Sequence, residues 1–91
     1  MSAVIDLKPA TVPDTVRPFR LWDAKTRTHL PHRMFAVRIN AHKAALWLAT
    51  IARVGTTIEV YDVRNGQLLG QFTRKVNDVQ IYMRRGELTN G

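Results

Sequence analysis

The chain has 91 residues, of which 45% are hydrophobic and none is cysteine. This length suits one domain, and the apolar content allows a core, so wholesale disorder is not expected. The lack of cysteine excludes disulfides, thiolate nucleophiles and cysteine-based zinc sites. The opening residues lack the basic region and apolar stretch of a secretory signal, and no apolar run is long enough to cross a bilayer. We therefore expect a cytoplasmic protein with no membrane partner.

The charge balance is strongly positive, with fourteen Lys and Arg against seven Asp and Glu and a net charge of +7. Residues 17–83 hold eleven of the basic residues and four of the acidic ones, so the excess lies in the folded body and not in the ends. A folded surface of positive potential attracts phosphates or acidic protein surfaces. The simpler alternative is that the charge only maintains solubility.

The two ends of the chain carry no periodic pattern. Residues 1–16 contain Pro9 and Pro13, and residues 85–91 are mostly small or polar. We expect a flexible N-terminal segment over 1–16, a single domain over 17–84 and a flexible tail over 85–91.

The first part of the domain alternates between apolar and polar residues at Phe19–Trp22 and again at Phe35–Ile39. Period 2 indicates strands, and we predict a β-hairpin over 17–38. Pro31 must then lie at a strand edge, a bulge or a break.

One helix is predicted over 41–54. Asn40 suits the N-cap, Gly55 suits the C-terminal cap, and Arg53 suits the negative end of the helix dipole. Helical spacing places one group of apolar residues on a single side, which we expect to face the sheet, with two more at its margins: Ala44, Trp47, Leu48 and Ile51, then Ala41 and Val54.

A second hairpin over 57–74 and a final strand over 78–83 complete the predicted domain. Phe19–Thr26 matches Ile58–Asn65 with a period of 39 residues, and both copies place an aspartate, Asp23 or Asp62, at the end of the strand. The aspartate can accept hydrogen bonds from turn amides, and Asn65-Gly66 is a hairpin-turn pair. Duplication and convergence both remain open as origins of the repeat. The fold class is α+β with two layers, a largely antiparallel sheet of about five strands (ββαβββ) and one helix on one face.

One helix leaves the opposite side of the sheet uncovered, and we call this side the helix-free face. Strand alternation places on it a candidate binding set of aromatic and basic residues: Arg20, Trp22, Arg38, Tyr61 and Tyr82. Aromatic rings stack on unpaired bases while guanidinium groups hold phosphates. Three alternatives stay open: cross-strand pairs that only stabilise the sheet, a dimer interface, and cover by the N-terminal segment.

A secondary basic surface is formed by residues of the outer helix face and the turns: Lys43, Arg53, Arg64, Arg74 and Lys75. Helix charges usually form a solvated side, and nothing here resembles a recognition helix. We rank this surface below the helix-free face.

Metal, cofactor and enzyme functions are not expected. His29 and His32 are three residues apart in an extended segment and point to opposite sides, and His42 lies beyond them. Ser2 is the only serine, and no glycine-rich phosphate loop precedes the helix.

The sequence therefore predicts a small basic binding module and not an enzyme. Its partner is nucleic acid, DNA or RNA, or a nucleoprotein assembly; the alternative is an acidic protein surface or homodimerisation through the helix-free face. Whether the chain is a monomer or a homodimer stays open. In general build the chain resembles many small bacterial and phage-encoded proteins.

Overall fold

The computed structural model describes residues 16–84, and of residues 31 and 32 only the backbone. Its elements are β1 (Phe19–Asp23), β2 (Thr28–Phe35), α1 (Arg38–Ile51), β3 (Thr57–Asp62), β4 (Gln67–Arg74) and β5 (Val79–Met83). The five strands form one antiparallel sheet in the order β2-β1-β3-β4-β5, and α1 contacts every strand. The predicted two-layer ββαβββ fold is confirmed. The expected flexible segments, 1–16 and 85–91, lie outside the described residues except for Val16.

The 39-residue repeat has a counterpart in the sheet. β1 and β3 are neighbours and antiparallel, and Leu21 is opposite Val60, the residue 39 positions later. The shift of 39 residues relates Phe19 to Ile58 and Asp23 to Asp62, so it converts the pair Phe19–Asp62 into the pair Asp23–Ile58. A local pseudo-two-fold axis between Leu21 and Val60 therefore relates the two hairpins.

Both hairpin turns have the same hydrogen-bond plan. The Oδ1 atom of Asp23 accepts from the amides of Lys25 and Thr26 at 2.9 and 3.3 Å, and Oδ1 of Asp62 accepts from the amide of Arg64 at 3.0 Å. The last turn residue has a positive φ in each, 58° at Arg27 and 72° at Gly66. The predicted role of the two aspartates is confirmed.

The first hairpin ends earlier than predicted. β2 stops at Phe35, and the helix begins at Arg38 and ends at Ile51, three residues earlier at each end than predicted. The strand predicted over 35–39 is wrong, because Val37 is the extended N-cap residue, with φ of −117° and ψ of 129°. Its carbonyl accepts from the amides of Asn40 and Ala41, so Asn40 lies inside the helix and does not cap it.

Pro31 lies within β2, which is an edge strand of the sheet. The register of β2 against β1 shifts between Arg20 and Trp22, and Pro31 falls in the shifted stretch. An edge position beside an irregularity tolerates the missing amide of proline, as predicted.

The helix packs on the sheet through small residues. Ala41, Ala45 and Ala49 are fully buried against a core of strand residues that includes Leu21, Val60 and Phe72. The predicted inward residues are wrong in two cases, since Trp47 and Ile51 are 59% and 62% exposed. Apolar residues surround most of this helix, so spacing alone does not select its inner side. Alanine allows the closest approach of the helix to the sheet, and the large side chains turn outward.

Polar side chains fill the first turn of the same interface. His42 is buried beside the Phe72 ring, and its Nε2 atom accepts a hydrogen bond of 3.0 Å from Nε of Arg38. Gly70 of β4 leaves the room, because a Cβ atom there would lie 2.8 Å from Cε1 of His42 and 3.2 Å from the backbone oxygen of Tyr82. A glycine in β4 is therefore required by the histidine above it.

The helix of the described chain is too short and too polar to span a membrane.

Candidate functional site

Arg20, Trp22, Tyr61 and Tyr82 lie on the helix-free face, as predicted from strand alternation. Arg20 is opposite Tyr61 across β1 and β3, and the rings of Trp22 and Tyr61 meet edge to face with centroids 6.0 Å apart. Three of these side chains are almost wholly buried, with exposed fractions of 1% for Arg20, 5% for Trp22 and 7% for Tyr61. Only Tyr82, on the edge strand, is half exposed. Buried rings cannot stack on a base, so this arrangement does not present the predicted stacking platform.

The centre of this face is a hydrogen-bonded polar group. The hydroxyl of Tyr61 donates to Oε1 of Glu59 at 3.3 Å, and Nε2 of Gln71 donates to Oε2 at 2.8 Å. Burial, followed by the charge of Glu59 and the hydrogen bond to it, raises the pKa of Tyr61 to about 12. The side chains at the centre of this face therefore stabilise the sheet through cross-strand contacts, which is one of the alternatives to a binding role.

Arg38 is not on the helix-free face, which corrects its predicted placement. It is the first residue of the helix and is buried, because β2 ends before it. Its NH2 group donates to the carbonyl oxygens of Leu69 at 3.3 Å and Arg84 at 3.2 Å. These bonds join the start of the helix to the first part of β4 and to the residue that follows β5.

Four of the eight exposed Lys and Arg side chains of residues 16–84 lie at one end of the sheet, which we call the basic end. Three connections meet there, residues 24–27, 52–56 and 75–78, and they carry the exposed cations Lys25, Arg27, Arg53 and Lys75. Arg74, the last residue of β4, is partly buried there and donates from NH1 to the Asp78 carbonyl oxygen at 3.3 Å, and the carboxylate of Asp78 is exposed at the same end. Backbone hydrogen bonds fix the connections to one another. The amide of Ala24 donates to the Thr57 oxygen, and that of Gly55 to the Arg74 oxygen.

A shallow concavity of about 160 Å³ opens at this end, between the first hairpin turn and the chain that leaves the helix. Its lining includes Lys25 and Arg53, together with Asp23 and the loop from Val54 to Thr56. The carboxylate of Asp23 accepts hydrogen bonds from two turn amides, so it has a structural role in the turn. The arrangement places two cations from distant parts of the sequence around one polar depression.

The exposed charges of the described surface are mostly positive. Among residues 16–84, eight Lys and Arg side chains are exposed while Asp78 is the one exposed carboxylate. Glu59 and Asp62 are buried. Asp23, Glu59 and Asp62 thus serve turns and internal hydrogen bonds, whereas most of the Lys and Arg side chains of residues 16–84 face solvent.

The secondary basic surface of the sequence analysis divides into three places. Arg53, Arg74 and Lys75 share the basic end. Lys43 is exposed on the outer side of the helix. Arg64 lies at the opposite end of the sheet, where its NH2 group is 2.8 Å from Oδ2 of Asp62 and its guanidinium carbon is 5.4 Å from the centroid of the Phe19 ring. Burial opposes ionisation of Asp62, but the hydrogen bonds from Arg64 lower its pKa below the ordinary value.

Lys25 and Arg27 belong to the basic end but were absent from the predicted sites. Sequence reasoning assigned them to a turn, and nothing local shows which other turns lie beside it. The strand order would have identified them, because it is the pairing of β1 with β3 that brings the first turn beside the loop after the helix.

His29 and His42 lie in different parts of the structure, and the side chain of His32 is outside the described part. Within residues 16–84 no group of three or more His, Asp or Glu side chains is placed to hold an ion. His42 is enclosed at the helix–sheet interface, and His29 packs its ring edge to face on Trp22 at 5.5 Å. Burial, with a smaller contribution from the charge of Arg38, lowers the pKa of His42 to about 4.

The outer side of the helix also carries exposed apolar groups. Ile39, Leu46, Trp47 and Ile51 are each more than a third exposed, and Lys43 lies among them. We call these four residues the outer helix patch. Their exposure follows from the alanine packing on the inner side.

Comparison with known proteins finds no matching family model, no similar curated protein and no similar solved structure.

Proposed function

We propose that this protein is a small nucleic-acid-binding module that holds the phosphate backbone at its basic end. The observation that carries the proposal is that four exposed cations lie at one end of the sheet, with the partly buried Arg74 beside them: Lys25, Arg27, Arg53 and Lys75. Clustered Lys and Arg side chains replace the counterions around phosphates, and the release of those counterions drives binding. This kind of contact positions a protein on nucleic acid without reading its sequence.

The chemistry of the basic end favours phosphates over an acidic protein surface. A protein interface draws most of its binding energy from large buried anchor groups at its centre. The concavity at the basic end is lined by charged and small residues around Val54 and has no aromatic side chain in its lining. Arginine presents several N–H donors in a planar fork that fits phosphate oxygens. A module that binds phosphates needs no catalytic group, and we propose no enzymatic activity.

The experiment is a binding titration of the full chain with a fluorescent single-stranded oligonucleotide and its duplex form at low salt. The basic-end variant Arg53→Gln/Lys75→Gln is compared with the control variant Arg17→Gln/Lys43→Gln. Both variants lose two exposed cations, so their net charge is the same, but only the first pair lies at the basic end. We expect the basic-end variant to bind about tenfold or more weakly and the control about threefold or less.

Two outcomes would overturn the proposal. Undetectable binding of the unmodified chain at low salt removes nucleic acid as a partner. Equal weakening by the two variants shows that net charge, and not the basic end, is responsible. Poly-glutamate is the competitor that tests the other partner class: displacement as effective as that by unlabelled oligonucleotide would favour an acidic protein surface and contradict the phosphate assignment.

A further inference from the structure

The two edge strands of the sheet differ in how they are protected against pairing with another strand. β2 carries Pro31, which has no amide to donate, and its register against β1 shifts between Arg20 and Trp22. A proline and an irregular register are two of the features by which natural edge strands avoid pairing with other chains. β5 has neither, because its five residues are uncharged and pair with β4 in one unbroken register. Within residues 16–84 no strand lies on the outer side of β5, so this edge is open to a further strand.

The backbone groups of β5 alternate between β4 and the open edge. The amide of Arg84 donates to the Leu69 carbonyl oxygen at 2.9 Å, which continues the register of β5 against β4. In an antiparallel ladder, every second residue bonds to a given neighbouring strand. Residues 80 and 82 are therefore bonded to β4, and three residues direct their N–H and C=O groups to the open edge: Val79, Ile81 and Met83.

We propose that a second copy of this chain pairs with this edge, β5 against β5 and antiparallel, with the two Ile81 residues opposite each other on a two-fold axis. A two-fold interface uses the same surface of both copies. In this register Val79 lies opposite Met83 of the second copy, so all three outward-facing residues of each copy form hydrogen-bonded pairs. The two five-stranded sheets then become one continuous sheet.

The side chains on the helix side of β5 are self-complementary in this register. Ile81 is paired with the core residue Phe72, so it lies on the helix side of the sheet, yet it is 48% exposed at the edge. Val79 and Met83 lie on the same side and pack against the core. Pairing of the two copies brings the Ile81 side chains together and extends the apolar row of the core across the junction.

Charge complementarity favours a second copy as the occupant and fixes the register. Asp78, the one exposed carboxylate of residues 16–84, directly precedes β5, and the exposed Arg84 directly follows it. Antiparallel pairing centred on Ile81 places Asp78 of each copy opposite Arg84 of the other. Two copies with a net charge of +7 each therefore meet at an uncharged strand that has a pair of opposite charges at both ends.

A charge-exchange experiment by sedimentation velocity tests this register on the full chain over a concentration series. In a homodimer, Asp78→Arg opposes arginine to arginine and Arg84→Asp opposes aspartate to aspartate. We expect each variant alone to dimerise about tenfold or more weakly than the unmodified chain. An equimolar mixture of the two variants restores opposite charges at both ends, and we expect it to dimerise within about threefold of the unmodified chain. This recovery cannot arise within one chain, because positions 78 and 84 are about 20 Å apart along the strand.

General repulsion between basic chains predicts a different order of affinities. Arg84→Asp lowers the net charge of +7 by two. If net charge alone governed association, this variant would dimerise more strongly than the unmodified chain, and that result would contradict the proposal.

The matched variants Ile81→Lys and Ile51→Lys separate the β5 edge from the outer helix patch. Both replace an exposed isoleucine, with exposed fractions of 48% and 62%. We expect Ile81→Lys to weaken dimerisation about tenfold or more, because two ammonium groups then face each other on the axis, and Ile51→Lys to weaken it about threefold or less. Circular dichroism checks that both variants fold.

Three results would overturn the proposal. The unmodified chain stays monomeric throughout the concentration series, the mixture of charge variants dimerises no better than its components, or Ile51→Lys weakens dimerisation more than Ile81→Lys. No nucleic acid is present in these measurements, so their outcome is independent of the proposed function.

Discussion

His42 is a buried ionisable residue whose protonation removes a hydrogen bond from the helix–sheet interface. It must remain neutral to accept the hydrogen bond from Nε of Arg38, and no solvent replaces that contact because the ring lies under the helix. Gly70 gives the ring its space on the sheet side. Arg38 and His42 are one turn apart in the helix, but Gly70 lies in β4, so no local pattern identifies the three residues as a unit.

We predict that stability falls as the pH drops from 6.5 to 4. The pKa of His42 is about 4 in the folded protein, against about 6.5 in an unfolded chain. The unfolded state therefore binds the proton first across this window, and folding loses up to about 3 kcal/mol. Urea unfolding at pH 7 and pH 4.5 measures the loss, and His42→Gln, which keeps an acceptor, is expected to show a smaller one. An NMR titration giving His42 an ordinary pKa would contradict the assignment.

At the scale of elements, the two hairpin turns offer a direct comparison. Arg27 and Gly66 occupy equivalent turn positions and both have positive φ. An L-residue in this left-handed region costs about 1–2 kcal/mol, whereas glycine does not pay that cost.

We predict that Arg27→Gly raises the free energy of unfolding by about 0.5–1 kcal/mol and that Gly66→Ala lowers it by about 1 kcal/mol. Lys25→Gly is the matched control in the first turn, because Lys25 has no positive φ and gains nothing from glycine. Chemical denaturation of the three variants checks the ranking. Destabilisation by Arg27→Gly as large as that by Lys25→Gly would show that the turn carries no left-handed strain.

The helix is the second element with a clear prediction. Ala45 is fully buried against the sheet, so Ala45→Leu is expected to cost about 1–3 kcal/mol by overpacking. Trp47→Ala removes a larger but exposed group and is expected to cost about 0.5 kcal/mol or less. If thermal unfolding shows a larger loss of stability for Trp47→Ala than for Ala45→Leu, then Trp47 faces the sheet, as helical spacing predicts.

The sequence predicts where the strands and the helix lie better than it predicts which of their sides are buried. Period 2 and the repeat locate β1, β3 and β5, and the two aspartates locate the hairpin turns, because these signals depend on near neighbours alone. The orientation of the helix depends on how close it comes to the sheet. Arg38 was assigned to a strand because Phe35–Ile39 alternates, yet the chain turns at Ala36 and Val37 to begin the helix.

At the scale of the whole molecule, the pseudo-two-fold sheet separates two kinds of surface. The helix covers one face of the sheet, and the central side chains of the other face, Trp22 and Tyr61, are almost wholly buried. The end of the sheet where three connections meet is left with exposed Lys and Arg side chains. Alternation correctly predicts that Trp22 and Tyr61 lie on the helix-free face, but it does not show that their side chains are buried. We therefore propose the basic end, and not the helix-free face, as the candidate site.

The salt dependence of oligonucleotide binding tests the proposed function most directly. The slope of log K against log salt concentration reports the number of phosphates neutralised, at about 0.9 per phosphate for duplex DNA. We predict that Arg53→Gln/Lys75→Gln reduces the magnitude of this slope by about 1–2, whereas Arg17→Gln/Lys43→Gln changes it by less than about 0.5. An unchanged slope in the first variant, or equal changes in the two, would contradict phosphate binding at the basic end.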